Sequence, residues 1–286
     1  MKKSFQKNSL HPLPHDQRDF RLGAISFQTN IENIPDSDWE VSGPLLIKDQ
    51  GESDLCSAYA VTSVSEDQEG EELLPEYQFF KTKQISGNPD QWGANLRDAC
   101  KSAVKYGSLP IKNGLGKFKG ISRKELLNDE TWPHYSDEVA SCHRKKTYFS
   151  VDGRYDVFDN IRTALWKYRY KRSSIVTGVL WRYKWLEAKG GIISSQYGDG
   201  GFGHAFKIFG QKTIKGKMYL VAQLSQGKTV GDDGLFYFSR EIVNREIGKY
   251  GIFMFNDIPV NQARKTMGRN QSFINRLWSF LKKLFQ

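Results

Sequence analysis

Apolar residues in the first half of the chain recur at helical spacing. In CSAYAVTSVSEDQEGEE, which starts at Cys56, they return every three or four positions. Ser53 and Asp54 precede this segment and are residue types that cap helix amino termini. A second segment, GANLRDACKSAVKYGSLP, has the same period and ends in a Gly and a Pro. The pattern predicts two helices, the first capped by Ser53–Asp54; one face of the second carries Leu96, Ala99, Cys100, Ala103 and Val104.

The second half of the chain changes to the pattern of strands. After one more helical segment, DNIRTALWKYRYKR, short apolar runs rich in β-branched and aromatic residues follow. These runs are SSIVTGVLW, GHAFKIFGQ, KMYLVAQLS and GLFYFS. A helical first half and a strand-rich second half predict an α+β protein with two lobes that face each other.

Composition shifts divide the chain into three parts. Residues 1–44 contain four prolines and scattered polar residues, which is typical of an extended arm. Residues 45–257 carry the predicted helices and strands, with a helical lobe at about 45–125 and a β-rich lobe at about 126–257. Residues 258–286 are a basic linker followed by an amphipathic helix.

The net charge of +10 is concentrated at the two ends of the chain. Three lysines lie in residues 1–10 and six basic residues in residues 264–286, and neither segment contains an acid. The body between them is almost neutral, which argues against a nucleic-acid-binding function. No apolar run is long enough to span a bilayer, and the first residues lack the apolar block of a secretory signal.

The cysteine content bears on the compartment and on the chemistry. There are three cysteines, with no CxxC pair and no zinc-like spacing of Cys and His. We therefore expect no disulfide framework and a reducing, intracellular compartment. Cys100 lies in an apolar helical stripe and is expected in the core. Cys142, next to His143, is also interpreted as structural.

Cys56 is the candidate nucleophile. A thiol at a helix amino terminus becomes nucleophilic when an imidazole lies beside it. Of the five histidines, His204 stands out, because GDGGFGHAFKIFGQ places it between glycines and an apolar strand that would fix the ring. Gln50, six residues before Cys56, carries an amide that can polarise a carbonyl together with the Cys56 N–H.

Four sequence blocks, in this order, resemble the papain-like (C1) cysteine peptidases. They are DQGESDLCSAYA, GANLRDACKSAVKYGSLP, GHAFKIFG and SQGKTVGDDGLFYFS, and HPLPHDQRDFR is similar to the arm of mature bacterial members. The resemblance covers roughly residues 11–255, and the separation of Cys56 from His204 lies within the rough 130–150 residues of papain-type pairs.

The resemblance implies a peptidase with a substrate cleft between a helical lobe and a β-rich lobe. Cys56 would be the nucleophile, His204 the general base and acid, and Gln50 the oxyanion donor, with no metal or organic cofactor. The implied substrate is a protein or peptide.

Two positions of the segment LSQG, residues 224–227, depart from the family pattern. The asparagine that orients the histidine is replaced by Leu224, and Gln226 stands where a tryptophan would shield the pair. Leucine accepts no hydrogen bond from an imidazole. Gln223 is a possible substitute only if the strand register shifts, and Ser225 is another. Slowed catalysis is therefore expected, without necessary loss of activity.

Two other functions stay open at this stage. A papain-fold protein that has lost turnover would act as a binding or assembly component, for instance of a virion or cell-envelope complex. A cell-wall amidase or endopeptidase would also use Cys and His. The amphipathic segment of residues 270–286 would pack on its own domain, dock on a protein assembly, or lie on an anionic membrane surface.

Overall fold

The computed structural model of the protein describes residues 10–13, 34–41, 46–112, 115–151, 153–195 and 200–256. Within these ranges the chain forms seven α-helices and one eight-stranded sheet, so the predicted α+β class is confirmed. The predicted helix of residues 270–286 lies outside the described residues. None of the helices in the described part of the chain is long and apolar enough to cross a membrane.

Three predicted helices are confirmed, and a fourth long helix was not predicted. The predicted helices are α1, α3 and α6, and the helix that was not predicted is α2. Most residues of α2 are buried, including Glu76, Lys81 and Lys83, so no polar face distinguishes it in the sequence. The helices are α1 (Cys56–Glu69), α2 (Pro75–Ser86), α3 (Leu96–Lys105), α4 (Arg123–Leu126), α5 (Ser136–Ser141), α6 (Val157–Tyr168) and α7 (Arg240–Glu246).

The four predicted strands are β3, β5, β6 and β7, and all four are confirmed. The strands are β1 (Trp39–Glu40), β2 (Tyr148–Ser150), β3 (Ile175–Arg182), β4 (Ile192–Ile193), β5 (Gly201–Ile214), β6 (Lys217–Gln223), β7 (Leu235–Ser239) and β8 (Ile252–Phe255). Their order in the sheet is β2-β8-β3-β5-β6-β7-β4, and β1 pairs with β5. Only the pair of β4 and β7 is parallel among the strand pairs of the described residues.

The long strand β5 joins the two ends of the sheet. Its first half pairs with β3, which sets His204 opposite Val179, and its second half pairs with β6 and with β1. A register shift between Ile208 and Gly210 separates the two halves. Such a bulge bends a strand, so β5 contributes to both parts of the sheet.

Buried apolar side chains form three clusters. The largest lies in the β-rich lobe and contains Trp181 and Phe206. The second contains residues of α1 and α3 with residues of the sheet, and the third contains residues of α1 and α2 together with Trp132 and Ala140. The helical core therefore extends past residue 125, the boundary expected from the sequence, while α1 contributes to two clusters at once.

Part of the amino-terminal arm belongs to the sheet. Strand β1 pairs with Gly210 and Gln211 of β5, and the side chains of Ile34 and Val41 on either side of it are buried. The Gln211 amide donates to the carbonyl oxygens of Pro35 and Ser37, at 2.8 Å each. The arm is thus fixed at residues 34–41 by backbone pairing and by a buried amide.

Candidate active site

Cys56 is the first residue of α1 and is fully buried. The residue before it, Leu55, makes no side-chain cap, and the first turn contains no acid. The partial positive charge of the first-turn amides is therefore not offset by a side chain of this turn, and such a charge favours a thiolate. The predicted Ser53–Asp54 cap is wrong, because the Asp54 carboxylate accepts from Gly93 N–H and from Arg123 instead.

His204 lies in β5 between two aromatic rings. The ring centroids of Trp181 and Phe202 are 6.0 Å and 5.8 Å from that of His204, both in edge arrangements. Only 1% of the His204 surface is exposed, and burial lowers the pKa of the imidazole to about 4. Its Nε2 has no hydrogen-bond partner among the described residues. The ring is therefore neutral at neutral pH.

Helix α1 packs on strand β5, which carries His204. Cys56 belongs to the same buried cluster as Ala205, the residue that follows His204 on β5. Tyr250 is in this cluster too, and burial together with a smaller contribution from Cys56 raises the pKa of its hydroxyl. Cys56 therefore lies where the helical lobe contacts the β-rich lobe, and His204 is on the strand at this contact.

Gln50 is held by the segment that follows β6. Its side-chain Oε1 accepts from the Ser225 hydroxyl at 2.6 Å, and its backbone N–H donates to Ser225 O at 2.8 Å. Its Nε2 donates to Ser53 O at 2.8 Å. Because a primary amide has two hydrogens, the bond to Ser53 uses only one of the two on Nε2.

Leu224 and Gln223 leave His204 without an orienting acceptor. Leu224 is buried in the same cluster as Trp181 and Phe202. Gln223 lies opposite Lys207 in the sheet, and Lys207 contacts Asp67 of α1 at 2.8 Å. His204 is three residues from Lys207, so its side chain points to the other face of the strand.

The two substitutes considered for the asparagine are both engaged elsewhere. The Gln223 Nε2 donates to Leu46 O at 2.7 Å. The Ser225 hydroxyl donates to Gln50, and neither side chain hydrogen-bonds to His204. Gln226, at the tryptophan position, is buried and forms a backbone bridge with Asp49.

A short piece of the arm covers the site, and the sequence did not reveal this. Leu10 is buried in the cluster of Cys56 and Ala205, and its backbone bridges to Ala94 before α3. His11 N–H donates to Ala94 O at 3.2 Å, and the His11 Nε2 is 2.6 Å from Trp92 O. Residues 10 and 11 therefore lie between the two lobes, where the resemblance implies a substrate cleft.

The remaining cysteines and possible metal ligands do not extend the site. Cys100 is buried in α3, which confirms its predicted place in the core, and Cys142 is exposed. His143 pairs with Glu69 near the carboxyl end of α1. No group of three or more His, Cys, Asp or Glu side chains in the described ranges is arranged to hold a metal ion.

Comparison with solved structures identifies the fold. Xylellain, a cysteine protease from Xylella fastidiosa, is 17% identical, with a TM-score of 0.69 over 90% of this chain and 99% of that chain. Digestive procathepsin L2 from Tenebrio molitor is 16% identical, with a TM-score of 0.63 over 88% of this chain and 78% of that chain. Bromelain from Ananas comosus, in complex with the E64 inhibitor, is 15% identical, with a TM-score of 0.56 over 77% of this chain and 98% of that chain.

These structures confirm the expected papain-like fold. No protein-family model matches the sequence, and no curated protein sequence matches it. At such low identity the likeness establishes the fold, and the chemistry has to be argued from the residues of the site.

Proposed function

We propose that the protein is a cysteine-type peptidase that hydrolyses peptide bonds with Cys56 and His204. The observation that carries the proposal is the position of Cys56 at the uncapped start of α1, packed with the residue next to His204 on β5. A helix amino terminus and an imidazole together are the two features that activate a thiol.

The reaction would proceed by acyl transfer. The Cys56 sulfur attacks the peptide carbonyl while its proton passes to His204 Nδ1, because Nε2 is the enclosed nitrogen. The Gln50 Nε2 and the Cys56 N–H donate to the oxyanion of the tetrahedral intermediate. His204 then protonates the amine as the C–N bond breaks, and a water molecule hydrolyses the thioester to release the acid and the thiol.

A peptidyl epoxide tests this function directly. We expect the purified full-length protein to gain the mass of one inhibitor, and a Cys56→Ala variant to gain none. Cys142→Ala, which removes the exposed thiol, is the matched control and should label normally. Cleavage of a peptide library should also stop in Cys56→Ala and in His204→Ala. If neither the unmodified protein nor a variant that exposes Cys56 were labelled or cleaved a peptide, the proposal would be wrong.

A binding or assembly function is the second candidate, and two observations favour it. The His204 Nε2 has no acceptor among the described residues, and Leu10 is buried in the same cluster as Cys56. A protein of this kind would hold an extended peptide between its lobes without cleaving it. It predicts that Cys56→Ala and the unmodified protein bind peptides equally and that neither cleaves them.

A further inference from the structure

The segment Gln91–Ala94, here called the 91–94 edge, pairs its backbone with an extended chain. Its carbonyl oxygens at Ala94 and Trp92 accept from His11 N–H, at 3.2 Å, and from the His11 side chain, at 2.6 Å. The Leu10 side chain next to this contact is buried with Cys56. A backbone that runs along this edge therefore places a side chain in the buried cluster that contains the candidate nucleophile.

The 91–94 edge is an irregular segment between α2 and α3, so regular backbone pairing does not fix it. Two cations bind its carbonyl oxygens instead. Lys83 Nζ donates to the carbonyl oxygens of Gln91 and Gly93. Arg123 Nη2 donates to Gln91 O at 2.9 Å and to Pro89 O at 2.8 Å. The carbonyl oxygens of Gln91 and Gly93, which alternate with the two that bind His11, thus accept from charged donors.

Asp54 connects these contacts to the loop before Cys56. Its Oδ2 accepts from Gly93 N–H at 2.7 Å and also forms the ion pair with Arg123. Asp54 and Lys83 are both buried, and the Arg123 guanidinium lies over the rings of Phe79 and Trp92 at 5.6 Å and 5.5 Å. Arg123 is itself fixed at the start of α4 by a capping box between Ser122 and Glu125.

We propose that Lys83, Arg123 and Asp54 are positioning residues that hold the 91–94 edge in register with Cys56, so that an extended peptide can pair with Ala94. This inference deepens the proposed function and rests on it. Hydrogen bonds from charged donors are stronger than neutral ones and restrict geometry more closely. In their absence the edge would move relative to Cys56 and bind peptides less tightly.

Arg123→Met tests the proposal, because methionine keeps an apolar stem but removes every donor. We expect the KM for a peptide substrate to rise by about tenfold at an unchanged kcat, since two to three charge-assisted hydrogen bonds are lost. Alkylation of Cys56 by iodoacetamide, which does not use the edge, should not slow. Arg123→Lys, which restores the charge, should recover part of the affinity. Arg245→Met, which removes an exposed arginine of α7, is the matched control.

Hydrogen exchange provides a readout that needs no catalysis. In folded Arg123→Met, the amides of Gly93 and His11 should exchange about tenfold faster than in the unmodified protein. This result would support the positioning role even if the protein cleaves no peptide, in which case only the proposed function fails. Unchanged exchange with an unchanged KM would overturn the inference. So would a parallel fall in peptide cleavage and in alkylation, because it would indicate a general disturbance of Cys56.

Discussion

The carbonyl oxygen of Leu10 lies directly against the backbone of Gly203, the residue before His204. A Cβ placed on Gly203 would be 2.3 Å from this oxygen, and one on Gly178 would be 2.2 Å from the Leu10 side chain. Both glycines thus leave the space that Leu10 fills. Since Leu10 belongs to the same buried cluster as Cys56, which is itself fully buried, we expect the arm to leave this position before a substrate reaches the sulfur.

Leu10→Ala should expose the thiol. Loss of most of a buried leucine side chain weakens docking of the arm by roughly 2 kcal/mol, so alkylation of Cys56 by iodoacetamide should accelerate at least about tenfold. Leu46→Ala, which changes an exposed leucine, is the control. The measurement is the alkylation rate of Cys56 by peptide mass spectrometry. Equal rates in all three proteins would mean that Leu10 does not limit access.

Leu224→Asn should improve the orientation of His204. An asparagine oxygen at this position would accept from the Nε2 of the ring, which has no partner among the described residues. We expect kcat/KM for a peptide to rise roughly tenfold and the pKa of His204 to rise toward its ordinary value. Leu224→Ala removes the same side chain without adding an acceptor and should not activate. The pH profiles of kcat/KM compare the three proteins, and equal profiles would contradict this role.

The low pKa of His204 predicts how Cys56 responds to pH. Burial lowers this pKa to about 4, so the ring carries no charge at neutral pH and supplies no cation beside the sulfur. In Leu10→Ala, the alkylation rate of Cys56 should therefore climb as the pH rises, because no imidazolium is present to hold the thiolate at low pH. The rates can be measured with iodoacetamide from about pH 5 to pH 9. A rate that stays flat between about pH 5 and pH 8 would indicate a preformed thiolate–imidazolium pair instead.

Glu69 should make the fold sensitive to acid. Burial by itself raises the pKa of this carboxyl, but the hydrogen bond from His143 and the Lys145 ammonium outweigh burial and lower it to about 2. Because the folded-state pKa lies below the unfolded one, the stabilisation is present above about pH 4.5 and is lost as the pH falls toward 2.

Glu69→Gln should remove this pH dependence and lower stability at neutral pH by up to about 3 kcal/mol. Urea unfolding at pH 6 and at pH 3 gives the two free energies for each protein. Glu138→Gln, at an exposed carboxylate of α5, is the control and should behave like the unmodified protein. If Glu69→Gln and the unmodified protein differed in unfolding free energy by the same amount at both pH values, that result would contradict the lowered pKa of Glu69.

Period and residue type were sufficient to predict the elements that frame the site. The helices that begin at Cys56 and Leu96 follow from apolar residues at helical spacing, and the strand of His204 follows from a short apolar run rich in aromatic residues. Helix α2 was not predicted, because its two lysines and its glutamate are buried and have specific partners. The carbonyl oxygens of the 91–94 edge that Lys83 binds are an example. The pattern of apolar and polar residues along the chain does not indicate such partners.

The departures at the site itself depend on long-range contacts. The position of Asp54 in the sequence is typical of a helix cap, but its carboxylate accepts hydrogen bonds from Gly93 N–H and Arg123 instead. Gln223 is one residue from Leu224, yet the sheet register turns it toward Leu46. The position of Leu10 could not be predicted from the sequence. It depends on Gly178 and Gly203 both lying next to the space that Leu10 fills.

Helix α1 supplies Ala60 and Val61 to one buried cluster and Ala58 and Tyr59 to another. Neither of these two clusters can come apart without removing this helix from the other, so the packing among the helices is coupled to the packing of the helices on the sheet. We therefore expect a single calorimetric transition, in which the thiol becomes reactive only when the whole body melts or the arm departs.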